Sequence, residues 1–186
     1  MNFTFVPKVD AALFNTTKGA WTQQIQDNSE SVSQAYYEAR LDYLERAFDG
    51  KTHTSDGGGD VCAVIEDGAD FAAALITVAH APGKSSLKML DVTVQPRLNL
   101  ADAEPNVGEL AWIAAELITG CLDLTYREFP SKELKIYTTF PLDKKFMTAV
   151  TTAMMRNAEF SKLFDVSTHG GSWLVVTKKA EQASGS

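Results

Sequence analysis

The chain has 186 residues, a formal net charge of −7 and 45% hydrophobic side chains. Such a length fits one globular domain with a sizeable core that needs no metal or disulfide staple. The acid is dispersed rather than blocked, and no stripe of Lys and Arg exists to displace counterions, which argues against nucleic acid as a partner.

Phe3 to Pro7 reads as a short strand stopped by its proline. A helix follows from about Asp10 to Gln26, with Leu13, Phe14 and Trp21 on one face. "DNSES" breaks it and supplies N-cap oxygens for a second helix, Val32 to Phe48. Val32, Tyr36, Ala39, Tyr43 and Ala47 fall at three- and four-residue steps, the spacing of a buried face. Residues 49–60 form a loop. "VCAVIED" (61–67) and "FAAALITVAHA" (71–81) are strands joined by a turn at Gly68, which predicts a hairpin. "LKMLDVTVQP" (87–96) is a further strand, ended by Pro96. From about Val107 to Arg127 runs a helix with Leu110, Ile113, Ala114, Leu117, Cys121 and Leu124 on one stripe. "ELKIYTTF" (133–140) is a strand, and Asp143 caps a Met-rich helix to about Arg156. "FDVSTHGGSWLVVTK" (164–178) reads as strand, Gly-Gly turn, strand.

The order is β-α-α-β-β-β-α-β-α-β-β. It predicts an α/β fold: a mixed, mostly antiparallel twisted sheet with helices on both faces. The unit from 87 to 140 supplies one parallel, right-handed crossover. One domain is expected over 1–178, with a flexible polar tail over 179–186. Cys62 and Cys121 each stand alone in an apolar run and read as small buried hydrophobes in a reducing compartment. "MNFTFVPKVD" lacks the plan of a signal peptide, and no run reaches the roughly 18 apolar residues of a membrane span. A cytoplasmic protein without a membrane partner is expected.

"LDVTVQP" followed by "GELAWIAAELITGCL" resembles the fourth strand and the long helix of the GCN5-related N-acetyltransferases (the GNAT superfamily), whose element order the whole chain shares. Val94-Gln95-Pro96 matches the Val-x-Pro with which that strand commonly ends. The resemblance implies acetyl-CoA as cofactor and direct attack of an amine, on a small molecule or a protein, on its thioester. It places pantetheine in a V between the 87–96 and 133–140 strands, against the backbone of Val92 and Val94. The pyrophosphate is placed on the helix start at Asn106, Val107 and Gly108, where free N–H groups and the positive end of the helix dipole meet it, with Arg97 as the basic residue of the same cofactor-binding set. The loop is divergent. Pro105 and Leu110 stand where the family has Gln or Arg and a second small residue, and Gly108 is the one glycine.

Asn106 is a good N-cap, and Glu109, three residues on, is placed to reach back to it. That would satisfy two of the helix's free N–H groups internally. Asp102, Glu104 and Glu109 put negative charge at the helix start, with Arg97 the nearby cation to offset it. Asp91, mid-strand between Leu90 and Val92, is the candidate carboxylate to assist the amine. Its alternative is a solvent-facing position on a half-polar face shared with Met89, Thr93 and Gln95. Tyr137 is the candidate acid, or else a strand-face aromatic. The divergent loop keeps a second reading open, a non-catalytic binding or assembly module on the same scaffold.

Other candidates have plainer readings: "SDGGGD" (55–60) as a loop rather than a cation cup, His169 as part of a tight turn rather than a base, and Met147, Met154 and Met155 as core rather than a partner groove. His53 and His80 have no partner that the sequence places. No metal site is expected, and no Gly-x-Ser-x-Gly, HExxH or P-loop motif occurs.

Overall fold

The structure, a computed structural model, describes residues 2–30, 32–52, 59–80, 85–100, 106–137, 150, 152, 154–170 and 172–179. β1 (Phe3–Val6) leads to two helices with side-chain caps. Asp10 accepts from Leu13 N at 2.8 Å ahead of α1 (Ala11–Asp27), and Ser33 accepts from Tyr36 N ahead of α2 (Gln34–Phe48). Next come β2 (Gly59–Glu66), β3 (Ala72–Ala79) and β4 (Ser86–Val94), then α3 (Val107–Leu124) and β5 (Glu133–Tyr137). A short helix that the sequence pattern did not predict, α4 (Ala158–Leu163), precedes the hairpin of β6 (Phe164–His169) and β7 (Trp173–Lys178). The two predicted turns hold glycines in the left-handed region, Gly68 at φ 86° and Gly170 at φ 57°. Of the predicted Met-rich helix, Val150, Thr152, Met154 and Met155 are described and helical; Asp143 and Met147 lie outside the described residues, as do His53, residues 55–58 of "SDGGGD", Asp102, Glu104, Pro105 and 180–186.

The seven strands form one sheet in the order β1-β2-β3-β4-β5-β7-β6. Every pairing is antiparallel except β4 with β5, the expected crossover. Each face of the sheet has its own core. On one, Ile113, Leu117 and Cys121 of α3 meet Cys62, Ile76, Met89, Leu134 and Val176. Phe14, Trp21 and Ile25 of α1 and Tyr37, Leu41 and Leu44 of α2 cover Val61, Ala63 and Leu75 on the other. Two buried polar contacts fasten α1 to the start of β3: Trp21 Nε1 donates to Ala72 O and Ala72 N to Thr17 Oγ1, both at 2.9 Å. α3 crosses β1 so closely that a Cβ at Gly120 would stand 2.2 Å from the Phe5 ring. Among the described residues, no helix is long and apolar enough to cross a membrane.

Two expectations shift by one residue. The buried stripe of α2 is Tyr37, Leu41, Leu44 and Ala47, so Tyr36 and Tyr43 flank the core and Ala39 is exposed. In β4, a bulge interrupts the period: Asp91 faces Thr77, but Met89 faces Val78. The extra residue, Leu90, moves Asp91 off the Met89 face. Met89 enters the α3 core, whereas Asp91 and Thr93 turn towards α2.

Candidate cofactor and acceptor site

Among the described residues, β5 pairs with only the first part of β4. Their ladder runs from Ser86 with Glu133 to Met89 with Ile136, while β4 continues to Val94. Gln95 N donates to Ala73 O at 2.9 Å, on the β3 side. Backbone groups alternate in an antiparallel pair, so Val92 and Val94 turn theirs to the other edge, the β5 side, past the described end of β5 at Tyr137. Their carbonyls already take bonds from α2. Arg40 Nη2 lies 3.4 Å from Val92 O, and Tyr37 Oη donates to Val94 O at 3.2 Å. The two N–H groups have no partner among the described residues. This edge is where the family resemblance implies pantetheine.

Asp91 sits on the α2 side of that edge, bonded through both oxygens to the Arg40 guanidinium, with Nη1 to Oδ2 at 2.7 Å and Nη2 to Oδ1. Arg40 Nε also donates to Thr93 Oγ1 at 3.1 Å, and its guanidinium lies 5.9 Å from the ring centres of both Tyr36 and Tyr43. Burial alone would lower the proton affinity of Arg40, but the Asp91 carboxylate and nearby aromatics raise it overall. A carboxylate has about four lone-pair positions, so two bonds to arginine leave Asp91 able to accept from an amine. Tyr137 ends β5 at the position after the last ladder pair. It is part-exposed, on the face opposite Ile136, with its ring 4.8 Å from that of Trp173. Asp91 and Tyr137 therefore share one face of the sheet, on neighbouring strands.

The helix start answers the question of charge. Asn106 caps α3 as expected, accepting from Glu109 N at 3.2 Å. Glu109 does not reach the Asn106 backbone: its carboxylate accepts from the Asn106 side-chain amide at 3.1 Å. One free N–H is thus satisfied internally instead of two. Val107 and Gly108 keep theirs without a partner among the described residues, and Val107 is exposed. Glu109 is buried, and Arg97 binds both its oxygens, at 2.5 and 3.3 Å, while also contacting Glu66 at 3.3 Å. Arg97 is held in place by its backbone N–H, which donates to Gln24 Oε1 at 3.1 Å. It therefore works behind the helix start, where it neutralises Glu109. A diphosphate fits the N–H groups of Val107 and Gly108, and an extended amide chain fits the Val92–Val94 edge; Arg97 is committed elsewhere.

Arg40 is not among the residues the sequence pattern singles out, although it stands four residues after Tyr36 and three before Tyr43 on the same helix. Glu66 was missed too, being far from Arg97 in sequence. His169 is exposed at the tip of the β6–β7 hairpin, and His80 lies beside Phe129, their ring centres 5.4 Å apart. Cys62 and Cys121 are free and buried, and burial pushes both thiols up, as suits inert packing. Among the described residues, no cluster of His, Cys, Asp and Glu is arranged to hold a metal ion.

No family model matches the chain, and no curated protein matches it. Solved structures do. RimJ of Mycobacterium smegmatis, solved in complex with CoA-disulfide, is 11% identical with a TM-score of 0.52; the match covers 100% of this chain and 89% of that one. The N-acetyltransferase PseH of Campylobacter jejuni is 13% identical over 96% of this chain and 98% of that one, with a TM-score of 0.45. A tandem GNAT protein from the clavulanic acid biosynthesis pathway is 14% identical over 81% of this chain and 43% of that one, with a TM-score of 0.40. The likeness to RimJ runs the length of the chain. The chain has the fold of the GCN5-related N-acetyltransferases.

Proposed function

We propose that the protein is an acetyl-CoA-dependent N-acetyltransferase acting on an amine. The observation that carries this reading is the edge of β4 after Met89, turned away from β3 at Val92 and Val94 and followed in the chain by a helix start with two available N–H groups. Acetyl-CoA, when bound, supplies a thioester carbonyl to the amine nitrogen, giving an amide and a free thiol. The N–H groups of Val92 and Val94 hold the amide-rich arm as a neighbouring strand would. Val107 and Gly108 donate to the diphosphate, and Asn106 fixes the turn that presents them. Asp91, kept in place by Arg40, accepts an N–H of the incoming amine. The hydroxyl of Tyr137, at the end of β5, offers a proton to the leaving thiolate.

Calorimetric titration of acetyl-CoA, and separately of CoA, into the purified protein tests the reading. Binding on the order of micromolar is expected, with a matching rise in melting temperature. No heat and no melting shift at high micromolar cofactor would sink it.

A further inference from the structure

Among the described residues, the sheet has two edges, β1 and β6. β1 is guarded: it is four residues long, Pro7 follows it, and α3 crosses it with Gly120 against the Phe5 ring. β6 has none of these protections. It runs six residues, Phe164–His169, without proline, lysine or arginine, and its pairing with β7 shows no bulge. Lys179 N donates to Leu163 O at 2.8 Å, which fixes the alternation along the strand. Asp165, Ser167 and His169 bond to β7, whereas Phe164, Val166 and Thr168 turn their backbone groups outwards. The Phe164 N–H is taken by Phe160 O. The N–H and C=O groups of Val166 and Thr168 have no partner among the described residues.

This open edge is complementary to itself. A two-fold axis at Ser167 sets Val166 of one copy opposite Thr168 of another, so that each of these residues donates to and accepts from its counterpart. The two β-branched side chains then meet on the α3 face. The same register puts Asp165 opposite His169 at both ends, a carboxylate against an imidazole. Both side chains are exposed. Lys179 Nζ lies 3.2 Å from Asp165 Oδ1, a single contact that leaves lone pairs on the carboxylate for a second donor. Leu163, 57% exposed, stands where α4 ends and the edge begins. We propose that β6 pairs antiparallel with β6 of a second copy of this chain, joining two sheets into one across an isologous two-fold interface. A strand of another protein would meet the same backbone groups, but it would lack the match of Asp165 with His169 that this register supplies twice. The pairing is independent of the acetyltransferase reading.

Sedimentation equilibrium of the purified chain, from about 1 to about 500 µM, tests the pairing; the mass is expected to rise from one chain to two across that range. Over the same range the Val166 and Thr168 amides should pass from fast to slow hydrogen exchange. Thr168→Pro removes an N–H that bonds to nothing within the chain, so it should abolish the dimer and leave the melting temperature of dilute protein unchanged. His169→Asp sets two like-charged pairs across the interface and should weaken association roughly tenfold. Adding Asp165→Lys to it makes both pairs opposite again and should restore the dimer. Should Thr168→Pro melt early, the two His169 variants decide alone. A chain that stays monomeric at every concentration overturns the proposal and leaves the edge to a strand of another protein. So does a dimer indifferent to the two His169 variants, whose interface must lie elsewhere or in another register.

Discussion

Arg40 ties a helix to the mid-strand carboxylate proposed to receive the amine. It joins α2 to β4 through Asp91 and Thr93, and it lies between two tyrosine rings. The pair is neither open nor sealed, at 18% and 22% side-chain exposure. Deleting one partner of a fully buried pair costs about 3–5 kcal/mol, whereas exposed pairs contribute about 1 kcal/mol or less. Arg40→Met is therefore expected to cost about 2 kcal/mol, read as a lower urea midpoint with an unchanged m-value. Asp91→Asn should cost a similar amount, and the double variant less than the two together, since the second change removes a group already stranded. Strict additivity would mean that the pair does not couple. In the acetyl-transfer assay, Asp91→Asn should lower kcat/KM about 100-fold, as for loss of one acid–base group, and leave acetyl-CoA affinity in place.

At the scale of elements, the start of α3 depends on a charge balance drawn from three parts of the chain. Glu109 is buried in its first turn, Arg97 follows β4, and Glu66 ends β2. Arg97→Met would leave the Glu109 carboxylate uncompensated beneath the helix start. A loss of about 3 kcal/mol in stability is expected, together with weaker acetyl-CoA binding, because an unpaired negative charge there opposes the helix dipole. Adding Glu109→Gln to the same chain should restore most of both, as urea midpoints and calorimetry would report. Were Arg97 itself a phosphate ligand, stability would recover and affinity would not. The cap at Asn106 was legible because capping is local, a matter of residues three apart. Arg97's partnership with Glu66 was not, because sheet register alone brings β2 beside the loop. The stripe of α3 was legible from its period of 3.6. On α2 the same rule chose the neighbouring stripe, since Tyr36 and Tyr43 are apolar enough to pass for core while they flank an arginine. The alternation rule failed on β4 at one residue, Leu90, where the bulge turns Asp91 towards Arg40.

The whole molecule has a core on each face of its sheet, and both hold groups that must stay protonated. Burial raises Tyr37, on the α2 side, from 10.0 to about 12, and the bond its hydroxyl donates to Val94 O favours the neutral form as well. The thiols of Cys62 and Cys121, on the α3 side, are likewise raised by burial from 9.0. Folded and unfolded chains carry the same protons on these groups below about pH 9, so stability there does not depend on them. As pH rises further, the unfolded chain ionises first and the folded one lags. Stability is then lost, from about pH 9 for the thiols and from about pH 10 for Tyr37. The Tyr37 share is about 2 to 3 kcal/mol, spread between pH 10 and 12. Urea midpoints measured from pH 7 to 12 should therefore be flat at first and then fall. Tyr37→Phe should start lower at pH 7, by about 1 kcal/mol for the lost hydrogen bond, and fall less steeply above pH 10. Parallel curves for the two proteins would mean that Tyr37 is not the source of the alkaline loss, and would leave it to the thiols and to Tyr43, which burial also raises.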